Sequence, residues 1–338
     1  MLAPKTSNSR PVLFSGMQPT GNGLMLGNFI GAMKNWVKLQ DTHECIYCVV
    51  DLHAITVKQE AEKLRNTSYE VLASYIACGI DPKKSLIFMQ SHVPEHAELG
   101  WVLTCHTYMG ELNRMTQFKD KSAKEKSIPT GLFTYPSLMA ADILVHQAEL
   151  VPVGNDQKQH IELARDLAIR MNSAYGPLFK VPEPFIPPVG ARIMSLQDPN
   201  AKMSKSTEDS LATVFLLDDE DTILKKFKRA VTDSLNTINY SDEQPGLKNL
   251  IDIQAALSGK SQAEITAGFE GKGYGHLKQA TADMVIAHFS PIRKEIQRLL
   301  NDKSYLHTVL KDSSHRASER ARPTLNKTYE ALGFVVKP

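Results

Sequence analysis

A chain of 338 residues, 42% of them hydrophobic, can bury a substantial core and is long enough for two domains. No apolar run approaches the roughly 20 residues that span a bilayer, and Met1 to Arg10 lacks the apolar core of a signal peptide and is too short for a transit peptide; the expectation is a cytoplasmic protein with a frayed terminus and no membrane association. A net charge of +2 excludes the blanket positive field of a non-specific nucleic-acid binder, so any RNA contact must come from local patches.

From Pro11 to about Phe215, short apolar runs alternate with helix-length amphipathic segments, the pattern of a parallel sheet with helical crossovers. Val12-Leu13-Phe14 is the first strand. A glycine-rich turn leads from it into a helix over Asn28 to Leu39, whose Phe29, Met33 and Trp36 share a stripe. Ile46 to Asp51, Leu86 to Gln90 and Leu150 to Val153 are further strands, and Ala61 to Cys78 and Gln157 to Met171 further helices. Cys45 and Cys48 have C-x-x-C spacing, but they stand in an interior strand with no second Cys/His pair to complete a ligand set, so no metal is assigned. Pro136 suits a first helical turn, which puts Tyr135, Met139, Asp142 and His146 on one face. Pro182, Pro184, Pro187 and Pro188 mark an irregular passage. Beyond Asp219 the chain reads as helices over Asp221 to Ser234, Leu247 to Leu257, Gln262 to Phe269, Gly275 to Phe289 and Ile292 to Leu300, closed by Ser304 to Leu332. The Gly271 to Gly275 run follows no strand and lacks a Gly-Lys-Ser/Thr ending, which makes it a helix connector rather than a phosphate loop. The division is an α/β domain over 1–215 and a helical domain over 216–338.

Three segments carry chemistry. Lys202-Met203-Ser204-Lys205-Ser206 sets two cations and two hydroxyls beside the turn-forming Asp198-Pro199-Asn200; such a loop can wrap a polyphosphate and neutralise charge on a leaving pyrophosphate. Ser15-Gly16-Met17-Gln18-Pro19-Thr20-Gly21, continuing through Gly23 to Gly27-Asn28, lets backbone approach closely and offers a helix N-terminus to a phosphate, though many nucleotide folds have such turns. Asp142 is a carboxylate among apolar neighbours, costly unless paired internally or poised for a ligand donor such as an indole N–H.

Together the first two segments resemble the signature pair of class I aminoacyl-tRNA synthetases, a HIGH-type element, here Met25-Leu26-Gly27-Asn28, and a KMSKS loop. Gly16 to Gly21, Asp51 to Thr56, Met109 to Leu112, Arg114 to Lys119, Gly154 to His160 and Gly190 to Leu196 narrow the resemblance to the bacterial tryptophanyl branch over nearly the whole chain. It departs at Met25, where the family usually carries Thr or His, in a loop one residue longer than usual. The resemblance implies a Rossmann-like α/β catalytic domain with a C-terminal helical domain that reads the anticodon, its last helix packing back on the catalytic domain. It implies that Asp142 accepts the indole N–H of tryptophan, with Phe14, Val50, His53, Gln117, Tyr135 and Met139 around the ring. ATP would be bound by Gln18, Pro19, Thr20, Gly27, Asn28, Gly154, Asn155, Asp156, Ile193 and Lys202 to Ser206, that is Lys202, Met203, Ser204, Lys205 and Ser206. Lys202, Lys205, Asn28 and Lys121 would act in catalysis, with Mg²⁺ accompanying ATP.

The implied reaction joins tryptophan to AMP, releases pyrophosphate and passes tryptophan to the 3′ end of tRNA(Trp), with no protein nucleophile and no editing domain. A homodimer is implied as well. Lys225-Lys226 and Lys228-Arg229, with Arg316, Arg320 and Arg322, are candidate RNA phosphate contacts or a solvated helix face. A tyrosyl enzyme, a non-RNA adenylyltransferase and a catalytically silent RNA-binding paralogue are the alternatives.

Overall fold

The structure is a computed structural model that describes residues 10–335 except 22, 123–126, 155–157, 186–191 and 206, with backbone only at 120–122. Strand β1 (Val12–Met17) leads through α1 (Leu26–Asn28), a π-helical turn (Phe29–Met33) and α2 (Lys34–Leu39) to β2 (Glu44–Val49). After α3 (Asp51–Ala54), α4 (Ala61–Ala77) returns to β3 (Leu86–Met89). Helices α5 (Glu95–Cys105), α6 (Met109–Asn113), α7 (Thr116–Ser122) and α8 (Thr130–Leu144) precede β4 (Leu150–Pro152), α9 (Lys158–Tyr175) and β5 (Glu183–Phe185). Then come α10 (Glu220–Lys228), α11 (Pro245–Ser258), α12 (Gln262–Ala267), α13 (Tyr274–Asn301) and α14 (Ser304–Leu332).

The five strands are all parallel, in the order β3-β2-β1-β4-β5. A sheet buried on both faces needs near-continuous apolar strands, and the period of two decides which core each residue enters. Leu13, Cys45, Tyr47, Val49, Ile87 and Met89 join one cluster. Val12, Phe14, Ile46, Cys48, Leu86 and Phe88 join the other. The two thiols of the C-x-x-C run therefore point to opposite faces of the sheet.

The first core is not confined to the α/β part. Ile223 and Phe227 of α10, Leu250 and Ile253 of α11 and Val285 and Phe289 of α13 belong to it, and Phe29 meets Phe289 edge to face at 5.4 Å. Residue 215 marks a change of element type across which packing is continuous. Helix α14 begins in that core with Leu306 and Leu310 and ends in the other with Ala317, Ala321 and Leu325. In passing, it packs along β3 and covers the edge of the sheet, where small Ala317 and Ala321, both fully buried, permit close approach.

Several boundaries differ from expectation. Pro136 lies inside α8 rather than in its first turn, and Pro291 lies inside an unbroken α13, not between two helices. An interior proline costs about 3 kcal/mol, and burial of Phe289, Ile296 and Leu299 on both sides of Pro291 offsets that cost. The proline-rich passage contains β5, tolerated because an edge strand needs only half its ladder. Helix α5 has no clean polar stripe for a sequence pattern to show, because it buries Glu95 and His96 as well as Leu99, Gly100 and Leu103.

Candidate active site

Strand order reverses between β1 and β4, and ligands of open α/β sheets bind beyond the carboxyl ends of the strands at such a point. The turn after β1, the start of α3 after β2, Gln90 after β3 and Gly154 after β4 all converge there.

On one side lies the glycine-rich turn. Gly21 and Gly23 have φ of +74° and +82°, a region L side chains avoid. A Cβ on Gly21 would stand 3.2 Å from Lys205 Cβ, and one on Gly23 only 1.6 Å from Glu70 Oε1. The turn is thus gripped between the second lysine of the Lys202–Ser206 loop and α4. Burial pulls the Lys205 amine down to about 8, with the Glu70 charge opposing the fall; burial pushes the Glu70 carboxyl up, with Lys205 opposing.

Hydrogen bonds link the two signature segments through residues 213–216 rather than directly. Leu26 N donates to Val214 O at 2.8 Å and Leu216 N to Leu24 O at 2.8 Å; Met203 N donates to Ile193 O at 3.1 Å, and Thr213 Oγ1 to Ser204 O at 2.8 Å. Met203 and Ile193 are buried anchors of their segments. Met25 is buried too, so the residue that departs from the family pattern serves the core and not the phosphate. Asn28 Oδ1 accepts from Met25 N at 3.3 Å, while its Nδ2 meets no described group. Gln18, Thr20 and Gly27 are half-buried, Pro19 is buried, and Lys202 is exposed. Asn155, Asp156 and Ser206 lie outside the described residues, as does the side chain of Lys121.

On the other side, Asp142 is 1% exposed. Its Oδ1 accepts from Gln90 Nε2 at 2.6 Å and from His96 Nδ1 at 2.7 Å, and its Oδ2 accepts from His53 Nε2 at 2.8 Å. Leu52 N donates to Gln90 Oε1 at 3.1 Å, which settles the orientation of that amide. Burial raises the Asp142 carboxyl, but the hydrogen bonds from His53 and His96 outweigh it and hold the group at about 2. A carboxylate has about four acceptor positions, so three internal donors leave one, on Oδ2.

Phe14, Val50 and Tyr135 are buried and Met139 and Gln117 half-buried around this group. A Cβ on Gly16 would come within 2.8 Å of Val50 Cγ1, so glycine there lets Val50 lean over the end of β1. Tyr135 Oη lies 2.7 Å from His160 Nε2 and donates to Gln117 Oε1 at 3.5 Å. The site residues that sequence reading missed are Gln90 and His96. Their signal was modest: polar residues at a strand's end in Gln90-Ser91-His92-Val93-Pro94-Glu95-His96.

Of the basic residues, Lys226 is buried, donating to Thr213 O at 2.7 Å and Asp218 Oδ2 at 2.6 Å, and is no phosphate contact. Arg320 and Arg322 tie α14 down through Glu44 and Glu95, while Arg316 pairs with Asp312 within the helix and donates to Pro82 O at 3.4 Å. Lys225 and Lys228 of α10 and Arg229, which caps its C-terminus, remain exposed.

A switch point with a glycine turn and a lysine loop on one side and a buried carboxylate among apolar and aromatic residues on the other is the arrangement of an enzyme that activates an amino acid with a nucleotide. Residues 6–290 match the model of the class I tRNA synthetases (W and Y), and the chain belongs to that family. It is 53% identical to the tryptophan–tRNA ligase of Clostridium tetani (strain Massachusetts / E88) over 330 residues, 97% of each chain. Its fold is similar to that of the tryptophanyl-tRNA synthetase of Mycoplasma pneumoniae, with TM-score 0.89 and 34% identity over 97% of this chain and 98% of that one. It is likewise similar to the Campylobacter jejuni tryptophanyl-tRNA synthetase complexed with ADP and tryptophan, with TM-score 0.83 and 36% identity over 96% and 100%. Within the family the chain is of the bacterial tryptophanyl type.

Proposed function

We propose that the chain activates L-tryptophan with ATP, giving tryptophanyl-adenylate and pyrophosphate, and transfers the tryptophan to the 3′ end of tRNA(Trp). The observation that carries this reading is Asp142, a buried, ionised carboxylate with one acceptor position left in an apolar pocket. An indole N–H fills that position, and Phe14, Val50, His53, Gln117, Tyr135 and Met139 surround the ring. A phenol would need a different polar geometry, which separates tryptophan from tyrosine without a second hydrolytic site.

ATP enters as its Mg²⁺ complex, the ion travelling with the phosphates as part of the substrate. Gln18, Pro19, Thr20, Gly27 and Asn28 receive it on one side, with Gly154, Asn155, Asp156 and Ile193 on the other and Lys202 to Ser206 closing over the phosphates. A carboxylate oxygen of tryptophan forms a bond to the α-phosphorus, and the bond to the oxygen bridging the β-phosphate breaks. Charge grows on the departing pyrophosphate, where Lys202, Lys205 and Lys121 are most effective because they act more strongly there than in the ground state. Asn28 Nδ2 is a donor to the same phosphates. The terminal ribose hydroxyl of the tRNA then attacks the tryptophanyl carbonyl and releases AMP.

The exposed Lys225, Lys228 and Arg229 are the phosphate contacts for the tRNA in this reading, and the working enzyme is a cytoplasmic homodimer. Among the described residues no helix is long and apolar enough to cross a membrane. Amino-acid-dependent ATP–pyrophosphate exchange across the twenty amino acids tests the central claim. Exchange with tryptophan alone is expected; exchange with tyrosine would reassign the pocket, and silence would overturn the enzymatic reading.

A further inference from the structure

Behind the Asp142 pocket lie two histidines that the reaction itself does not use. His96 and His146 are fully buried, 4.9 Å apart between ring centroids, and boxed by aromatic rings: Phe14 stacks on His146 at 6.1 Å and Phe88 tilts against His96 at 5.6 Å. His96 Nδ1 must carry a proton to approach Asp142 Oδ1 at 2.7 Å, because an ionised carboxylate only accepts. A neutral His96 then presents a bare Nε2. The proton in its 3.0 Å contact with His146 Nε2 belongs to His146. That assigns His146 the Nε2–H tautomer and leaves its Nδ1 buried with no partner among the described residues. Burial, with the charge of Arg320 adding to it, holds His146 well below the ordinary histidine range, as a neutral ring requires. Arg320 Nε of α14 also donates to His146 O at 3.2 Å, anchoring the backbone of the relay.

We propose that His96, held in orientation by His146, is a specificity-determining positioning residue: with Gln90 it fills Oδ1 of Asp142, so the carboxylate keeps its plane and only Oδ2 is open to the indole N–H. The inference rests on the reading of Asp142 as the indole acceptor. Were Oδ1 not filled, the carboxylate would have two competing acceptor positions and freedom to turn between them, and the directional bond that rewards an N–H would weaken.

The test compares tryptophan with its benzothiophene isostere, in which sulfur replaces the N–H, in pyrophosphate exchange. His96→Phe is expected to raise KM for tryptophan about tenfold while KM for the isostere and for ATP stay within about twofold, so that discrimination collapses by the same factor. His96→Asn, whose amide can donate from near the Nδ1 position, recovers most of it. His146→Phe loses part, and His146→Gln restores it. Equal KM increases for both amino acids in His96→Phe, or no change in either, would overturn the proposal. If His96→Phe does not fold, the His146→Phe and His146→Gln pair carries the same comparison. ¹⁵N spectra of the wild type supply a second readout: His146 protonated on Nε2 is expected, and protonation on Nδ1 would contradict the relay. Asp142→Asn in the same assay separates the two layers. Retained discrimination there removes the indole reading itself, whereas its loss there with retention in His96→Phe removes only the role of His96.

Discussion

Around Asp142 the structure seals its donors in the interior: Gln90, His53 and His96 occupy three acceptor positions, and aromatic rings pack against them. Across the cleft, Lys205 is a cation on a loop, half-buried against a glycine turn, with its amine pulled down to about 8 and Glu70 as the charge that opposes the fall. In the proposed reaction one side reads shape and a single hydrogen-bond direction, which must be fixed before the ligand arrives. In the same proposal the other meets charge that grows during the reaction, which favours a group whose interaction strengthens as the leaving group forms.

The sharpest way to break this contrast is Lys205→Ala. Expected is a fall in exchange kcat of about 10²–10³ with KM for tryptophan nearly unchanged; steady-state kinetics showing a matching rise in tryptophan KM would erase the division of labour. Next in size, Asp142→Asn should lower kcat/KM for tryptophan by about 10², with ATP binding by calorimetry little altered.

A smaller effect lies in pH. Because burial depresses the Lys205 amine, its charge is lost as pH rises through about 8, two units or more before an exposed lysine would lose it. ATP affinity should therefore fall above that point, by about tenfold per unit at most, and in Glu70→Gln the decline should begin at lower pH, since the raising charge is gone. A wild-type profile flat to pH 9 would refute this. Smallest is Gly23→Ala, which forces a left-handed backbone and displaces the Glu70 carboxylate. A loss of about 1–2 kcal/mol is expected in denaturant unfolding, whereas Gly273→Ala, with open space around it and an extended backbone, should cost little.

Strands β1, β2 and β3 were legible as short apolar runs, because a doubly covered sheet requires apolar residues at nearly every position, and for the same reason the face each residue takes was not. The lysine loop and the glycine turn were legible for a different reason: their chemistry is local and contiguous. Asp142 was visible as a carboxylate in an apolar helix. Its partners were not, because Gln90 and His96 lie 52 and 46 residues away from it along the chain and reach it only through β3 and α5. The same holds for Lys226, which reads as one more surface cation in a basic run until Asp218 and Thr213 O are found beneath it.

By itself the sequence determined the parallel α/β plan, the helical character of the chain beyond Asp219 and the two signature segments, all of which rest on short-range patterns of hydrophobicity, glycine and charge. Only the tertiary structure decided which acceptor position of Asp142 stays open, that Met25 belongs to the core, that Pro136 and Pro291 sit within unbroken helices, and that α14 closes the sheet edge while spending three arginines on acidic partners. Each of these depends on groups far apart in the chain competing for the same buried space, and the outcome is set by which hydrogen bonds and contacts can be satisfied together once water is gone.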